Sequence, residues 1–143
     1  MIVAAGDTFT YDPELRDAEA EAMWMVSAPG RVVVAAADNG DVIGTANMYP
    51  NRAGPGAHIA SASYMVDPAH RCRGVGRALV SDSLRWARVR GFRGMQFNAV
   101  AQTNTYAVRL DEALGFTVLG TVPGGFRHPV HGDVGLHVMF CPL

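Results

Sequence analysis

Residues 58–90 read HIASASYMVDPAHRCRGVGRALVSDSLRWARVR. His58 to Val66 is a run of small and apolar residues stopped by Asp67-Pro68, which predicts a strand. From roughly Val75 to Arg90 the spacing predicts a helix. Its polar stripe is Arg77, Ser81, Arg85 and Arg88, and its other sides carry Val75, Leu79, Trp86 and Val89, flanked by Val80, Leu84 and Ala87. So broad an apolar surface suits a helix packed on a sheet, and Gly91 suits its C-terminal cap. The link between the two elements is basic and glycine-containing: Arg71-Cys72-Arg73-Gly74-Val75-Gly76.

The start of a helix presents unpaired backbone N–H groups and the positive end of a dipole, and both favour a bound anion, phosphate above all. Glycines at 74 and 76 remove the Cβ atoms that would hold a pyrophosphate off the backbone. Arg71, Arg73 and Arg77 add charge around the same point. Alone, this pattern reads equally well as a helix start with solvated arginines. Two other phosphate loops are excluded. No Lys-Ser/Thr follows the second glycine, as a P-loop requires. The dinucleotide pattern needs a third glycine where Leu79 stands, and an acid after a following strand that here ends Ala99-Val100-Ala101.

Outward from this stretch, Pro13 to Met25 is rich in Ala and Glu and predicts a helix, ended by Pro29-Gly30. Arg31 to Ala37 is a Val-rich buried strand. Asn39-Gly40 suits a two-residue hairpin turn, with Asp41 to Tyr49 returning antiparallel and Pro50 to Gly56 as a loop. Downstream, Met95 to Ala101 predicts a strand. Asn104 to Leu114 predicts a helix, with Asn104 as its N-cap and Gly115 as its C-cap. Phe116 to Thr121 and Val134 to Phe140 are closing strands, with Pro123 to Asp133 between them as a loop. The order implies a mixed α/β sheet with antiparallel flanks and a strand–helix–strand crossover.

The 143 residues, 49% of them hydrophobic, are expected to form one domain, 1–143, with a real core. Twelve basic against 13 acidic side chains give a net charge of −1. That balance argues against a general nucleic-acid or membrane-surface binder. Cys72 and Cys141 stand alone, too few for a disulfide framework and without metal-site spacing. No metal is expected, and a reducing cytoplasm is. The start, MIVAAGDTFTYDPE, lacks a basic region and a long apolar core, so it does not read as a secretory signal. No run approaches the ~20 apolar residues of a membrane span.

Two blocks carry a family resemblance. Arg71-x-x-Gly74-x-Gly76 resembles the Arg/Gln-x-x-Gly-x-Gly/Ala motif by which GNAT acetyltransferases hold the pyrophosphate of coenzyme A. Asn104-x-x-Ala107-x-x-Leu110-x-x-x-Leu114-Gly115-Phe116 is similar to that family's Asn-x-x-Ala-x-x-Leu-Tyr-x-x-x-Gly-Phe segment. The blocks fall in the family's order, and the resemblance covers roughly Arg31 to Leu143. It implies a mostly antiparallel sheet with splayed strands. It also implies acetyl-CoA as cosubstrate and transfer of the acetyl group to the amine of a small acceptor (an amino acid, an analogue or a xenobiotic). A non-catalytic acyl-CoA-binding domain and a protein acetyltransferase are the alternatives. By resemblance, backbone groups of Tyr64, Met65 and Val66 pair with the pantetheine arm. The segment Arg71, Cys72, Arg73, Gly74, Val75, Gly76 and Arg77 holds the pyrophosphate. The N–H of Val66 polarises the thioester carbonyl.

The chain also departs from the family's pattern. The Tyr that often follows the Leu of the second block, as acid for the departing thiolate, is Asp111 here. An ionised aspartate is a poor proton donor unless its pKa is raised, so Asp111 is not expected to take that role, leaving water or Asn104. The frequent glutamate base of the third strand is missing. That leaves His58 or a water chain, with His58 read first as a strand-entry residue without chemistry. The segment Phe97-Asn98-Ala99-Val100 with Thr103-Asn104 resembles a subgroup related to fungal acetyltransferases of proline analogues. That likeness implies Asn98 and Asn104 as catalytic residues, against outward polarity for Asn98 and simple capping for Asn104. Phe126, Arg127 and His128 are expected either to wall the acceptor site or to form a lid or dimer contact. Met48, Asn47 and Tyr64 are further candidates for the same cavity. The front, 1–28, is shorter than the family's usual strand and two helices. Phe9 and Tyr11 fall where an acceptor loop would be, and a sheet edge is expected to be left bare, which a homodimer could cover.

Overall fold

The computed structural model describes residues 2–71 and 73–143. Six strands form one sheet in the order β1-β2-β3-β4-β6-β5. They are β1 (Arg31–Ala36), β2 (Val42–Pro50), β3 (Ile59–Val66), β4 (Gly94–Ala101), β5 (Thr117–His128) and β6 (Gly132–Pro142). The helices are α1 (Asp17–Trp24), α2 (Val75–Val89) and α3 (Thr105–Ala113). All neighbours run antiparallel except β3 and β4. That parallel pair follows from the crossover through α2, which returns the chain in the same direction.

The β3–β4 pairing is short. Only Ile59 with Gly94 and Ala60 with Met95 are in register, and beyond them the strands part. The splay expected from the resemblance is therefore present, and it puts unpaired backbone edges in the middle of the sheet.

Helix α2 covers one face. A Cβ on Gly44 would lie 2.9 Å from Val75 Cγ1 and 3.1 Å from Leu79 Cδ1, so only a glycine lets α2 come this close to β2. Side chains alternate along a strand, so Ala46 and Met48 share that face, and both are fully buried. Tyr64 joins them from β3: its hydroxyl lies 2.5 Å from the Ser83 hydroxyl of α2. Phe97 stacks on Phe116 at 4.2 Å and meets Tyr64 edge-on at 5.7 Å. Burying side chains of this size stabilises the fold by about 1.5–3 kcal/mol each. Helix α1 lies across the opposite face, where Trp24 donates from Nε1 to Thr45 Oγ1 at 3.1 Å. Asn47, 2% exposed, donates from Nδ2 to the Trp24 carbonyl at 3.0 Å and accepts from the Ser63 N–H at 3.2 Å. Asn47 and Met48 are thus core residues rather than cavity walls.

Two boundaries differ from the sequence reading. The first helix begins at Asp17 instead of Pro13, because Asp12 Oδ1 accepts the Glu14 N–H at 2.9 Å and holds a turn there. The expected loop from Pro123 to Asp133 is mostly strand: β5 and β6 form a long hairpin with its turn at residues 129–131. Pro123 and the two glycines after it break the ladder only locally, between Val122 and Phe126. Strand β5 is an edge, where a proline without an N–H is tolerated at a bulge. At the turn, His128 Nδ1 accepts the N–H groups of Val130 and His131 at 3.1 and 3.3 Å. At the other edge, β1 pairs only with β2, and its Val34 side chain is 59% exposed.

Candidate active site

The splay opens two cavities that share a wall. One, of about 450 Å³, lies between the freed edge of β3, the start of α2 and one side of α3; Tyr64, Met65, Val66, Arg71, Val75 and Gly76 line it. The other, of about 290 Å³, lies toward β4; Ser61, Ser63, Phe97, Asn98, Ala99 and Val100 line it. Thr8, Phe9, Tyr64, Asn104, Ala107 and Asp111 border both.

Backbone direction explains the first cavity. The Ser63 and Asp67 N–H groups point toward β2, to Asn47 Oδ1 at 3.2 Å and the Ile43 carbonyl at 2.9 Å. Alternation along the strand then turns the N–H and C=O groups of Tyr64 and Val66 into the gap that β4 has left. The approach to α2 is set by Asp67, whose Oδ1 accepts the Ala69 N–H at 2.9 Å and whose Oδ2 lies 3.0 Å from His70 Nδ1. Gly74 is the N-cap of α2 with φ +81°, a left-handed conformation that favours glycine, and the space where its Cβ would stand is open to 4 Å. The first bond of α2 runs from Ala78 N to Gly74 O at 3.0 Å, so the N–H groups of Val75, Gly76 and Arg77 have no acceptor within the helix. A cradle of free amides beside Arg71 fits the diphosphate of coenzyme A. Gly76 stands beside α3: a Cβ there would be in ordinary contact with Leu110 Cδ2, at 3.4 Å. Arg73 and Arg77 are exposed and line neither cavity, and Cys72 lies outside the described residues.

Asn98 and Asn104 come together at the second cavity. The ladder between β4 and β6 slips between Phe97 and Val100, one extra residue that re-aims the strand. Asn98 is exposed, accepts from Gln96 Nε2 at 2.9 Å and donates to Asn51 Oδ1 at 2.6 Å. Asn104 caps α3: its Oδ1 accepts the Ala107 N–H at 3.2 Å. Its amide nitrogen has no partner among the described residues and borders both cavities.

Asp111 departs from the expectation of an ionised aspartate unsuited to give a proton. It is 5% exposed. Burial pushes its carboxyl up to about 7, because an ion loses more than a neutral acid on leaving water. Burial also raises Tyr64, and to a smaller degree Tyr11, whose next contribution comes from Tyr49.

Other candidates separate. His58 is exposed, with Nδ1 3.0 Å from the Pro55 carbonyl, and lines neither cavity. Phe126 is buried and Arg127 pairs with Asp133 at 2.9 Å, so of that trio only His128 reaches a cavity, the larger one. Phe9 and Tyr11 do line the smaller cavity, their rings stacked at 5.5 Å. Sequence reasoning missed Thr8 and Thr103. Both hydroxyls are buried without a hydrogen-bond partner among the described residues, and both residues border a cavity. Thr103 stood inside the quoted Thr103-Asn104 pair without a role of its own, and no local motif marks Thr8, because the chain fold alone lays residues 7–11 over the splay. Among the described residues no three His, Cys, Asp or Glu side chains cluster as a metal site, and no helix is long and apolar enough to cross a membrane.

A sheet parted beside a glycine-capped helix start, with cavities meeting at the gap, defines a coenzyme A-dependent acyltransferase architecture. A model of the acetyltransferase (GNAT) family matches residues 4–116, and the chain belongs to that family. A solved GCN5-related N-acetyltransferase from Kribbella flavida is 59% identical, covering 99% of this chain and 86% of its own, with a TM-score of 0.96. The yncA structure from Salmonella typhimurium, solved with its cofactor acetyl-CoA, is 29% identical over 87% of this chain and 69% of its own, with a TM-score of 0.71. The L-methionine sulfoximine/L-methionine sulfone acetyltransferase of Salmonella typhimurium is 32% identical over 115 residues, 80% of this chain. The match spans 65% of that curated protein, and 43% of a second curated relative that is 36% identical over 90 residues.

Proposed function

We propose that this protein transfers the acetyl group of acetyl-CoA to the amine of a small molecule by direct attack. The observation that carries this reading is the meeting of the two cavities at Tyr64, Asn104 and Asp111 inside the splay. The larger one takes the donor. The free amides at the start of α2, with Arg71, hold its diphosphate, and the β3 edge from Tyr64 to Val66 holds its pantetheine arm. Acetyl-CoA supplies the activated acyl group as a thioester. The protein's part is to fix amine and carbonyl at reacting distance, which is a large share of any such rate enhancement. The Val66 N–H is the donor that polarises the carbonyl. Asn104, through its unshared amide, and Asn98, at the far wall, orient the acceptor.

The acceptor cavity has a distinct chemistry. Thr10, Tyr11, Tyr49, Ser61 and Ser63 give it hydroxyls, and no Lys, Arg or His is among its lining residues. Hydroxyls pair well with neutral oxygens. A buried carboxylate needs a cation or several strong donors. The acceptor is therefore a small amine with neutral hydrogen-bonding groups. The expected result in a thiol-release assay is turnover with such amines, and about tenfold better kcat/KM for an amino-acid carboxamide than for the matching free acid, about 1.4 kcal/mol. Saturable acetyl-CoA binding with no turnover on any amine would instead identify a binding module.

A further inference from the structure

We infer that Asp111 is a catalytic residue that passes a proton from the acceptor amine to the departing sulfur. The inference rests on the acetyl-transfer reading and adds to it the group that moves the proton.

Three features single out this side chain. It is 5% exposed, and its residue borders both the donor cavity and the acceptor cavity. Its carboxyl oxygens take no hydrogen bond from any described residue, and neither is a sealed, partnerless atom of the core, so they open onto the cavities. A structural aspartate in a protein interior is tied to a cation or to backbone N–H groups, and this one is tied to neither. Helix α3, capped by Asn104, runs along both cavities, and its Ala107 and Asp111, one turn apart, border both.

The surroundings keep the carboxyl protonated near neutrality. Burial raises it to about 7, and no neighbouring cation opposes that. The titratable groups that share the acceptor cavity with it are Tyr11 and Tyr49, and Tyr64 stands between the cavities. On the donor side are Asp7, His70, Arg71, Tyr106 and His128. None of them makes a hydrogen bond or ion pair with Asp111.

The balance of the step is simple. The amine nitrogen forms a bond to the acetyl carbon, and the carbon–sulfur bond breaks with its electron pair going to sulfur. The Asp111 carboxyl gives its proton to that sulfur. The resulting carboxylate takes up the proton that the new amide nitrogen sheds, and Asp111 ends the cycle as it began. No other reactant is required.

The test compares the wild type with Asp111→Asn, which keeps shape and neutrality but has no proton to give. Single-turnover acetyl transfer is followed from pH 6 to pH 9, together with acetyl-CoA affinity by calorimetry. A positioned acid–base group commonly contributes a hundredfold or more. The expected result is a drop in the transfer rate on the order of a hundredfold in Asp111→Asn, with acetyl-CoA affinity within twofold of wild type. Once the rate is divided by the fraction of acceptor present as free amine, the wild-type rate is expected to fall as pH rises past about 7, and the variant is expected to lose that limb. With a donor whose thiolate leaves without a proton, such as an acetyl thioester of an electron-poor aromatic thiol, the wild type and Asp111→Asn should transfer at matching rates. Wild-type rate in Asp111→Asn, or loss in proportion to acetyl-CoA affinity, would overturn the inference. So would a wild-type profile without the alkaline limb, a measurement that needs no variant to fold. A wild type that acetylates no amine fails the acetyl-transfer reading itself, a different outcome from an active wild type matched by an active variant.

Discussion

In the reading proposed above, the donor and acceptor sides of the splay are built from different materials. The donor side is made of backbone: free amides at Val75, Gly76 and Arg77, a left-handed Gly74, and the turned-out edge of β3. The acceptor side is made of side chains that the chain collects from far apart: Tyr11 from the front, Tyr49 from β2, Ser61 and Ser63 from β3, Asn98 from β4. A backbone site tolerates change in its neighbours but not in its glycines. A side-chain site is the reverse. A fold can therefore keep one donor while its acceptor varies.

Each prediction bears on that contrast, beginning with the largest effect. Asp111 belongs to both sides and to neither kind of site. Folded, it holds its proton up to about pH 7, whereas unfolded it loses it near 3.8. Unfolding between those values releases a proton, so stability falls as pH rises across that window, by roughly 4 kcal/mol at most. Denaturant melts from pH 4 to pH 8 should show this slope in the wild type and not in Asp111→Asn.

On the acceptor side, Asn98→Ala is expected to lower kcat by about ten- to a hundredfold, or roughly 1.4–2.8 kcal/mol. Acetyl-CoA affinity and melting temperature should stay unchanged, because Asn98 is exposed and its partners Gln96 and Asn51 can turn to water. A matching loss of stability would make Asn98 a structural hydrogen-bonder only. On the scaffold beneath the donor side, Gly44→Ala forces a Cβ to 2.9 Å from Val75 Cγ1. It should destabilise by about 1–3 kcal/mol in urea and weaken acetyl-CoA more than the acceptor, because α2 carries the donor amides. The smallest effect is expected at Thr8. Removing its unpaired buried hydroxyl in Thr8→Val should leave stability level or raise it by about 1 kcal/mol, and raise KM modestly for both substrates, because Thr8 borders both cavities.

The same contrast explains how much could be read from the sequence. Tyr64 to Gly76 was legible because a strand stop, two glycines and a helical period lie within one short stretch, and local chemistry dictates each. The sheet and the crossover followed from that order, and the parting of β3 from β4 was implied by the family resemblance. The β5–β6 hairpin was hidden by Pro123, Gly124 and Gly125, which read as a loop but form a bulge on an edge strand. On the acceptor side Asn98 and Asn104 were named through the family resemblance, and Asn104 also as a helix cap, whereas Thr8 carries no signal until the front folds over the gap. Asp111 was visible as a residue, but not its protonation, because burial is a property of the packed structure. Met48 and Asn47 were misplaced because a strand's alternation, without its register, does not say which face meets the helix.

The account stands on the grip of the amides at the start of α2 on a diphosphate. Calorimetric titration of acetyl-CoA and of S-acetylpantetheine, which lacks the diphosphate, tests it in the wild type and in Gly74→Glu. The wild type should bind acetyl-CoA on the order of a hundredfold more tightly, about 2.8 kcal/mol. Gly74→Glu should erase that gap while leaving S-acetylpantetheine untouched. Equal acetyl-CoA affinity in the wild type and Gly74→Glu would contradict the account.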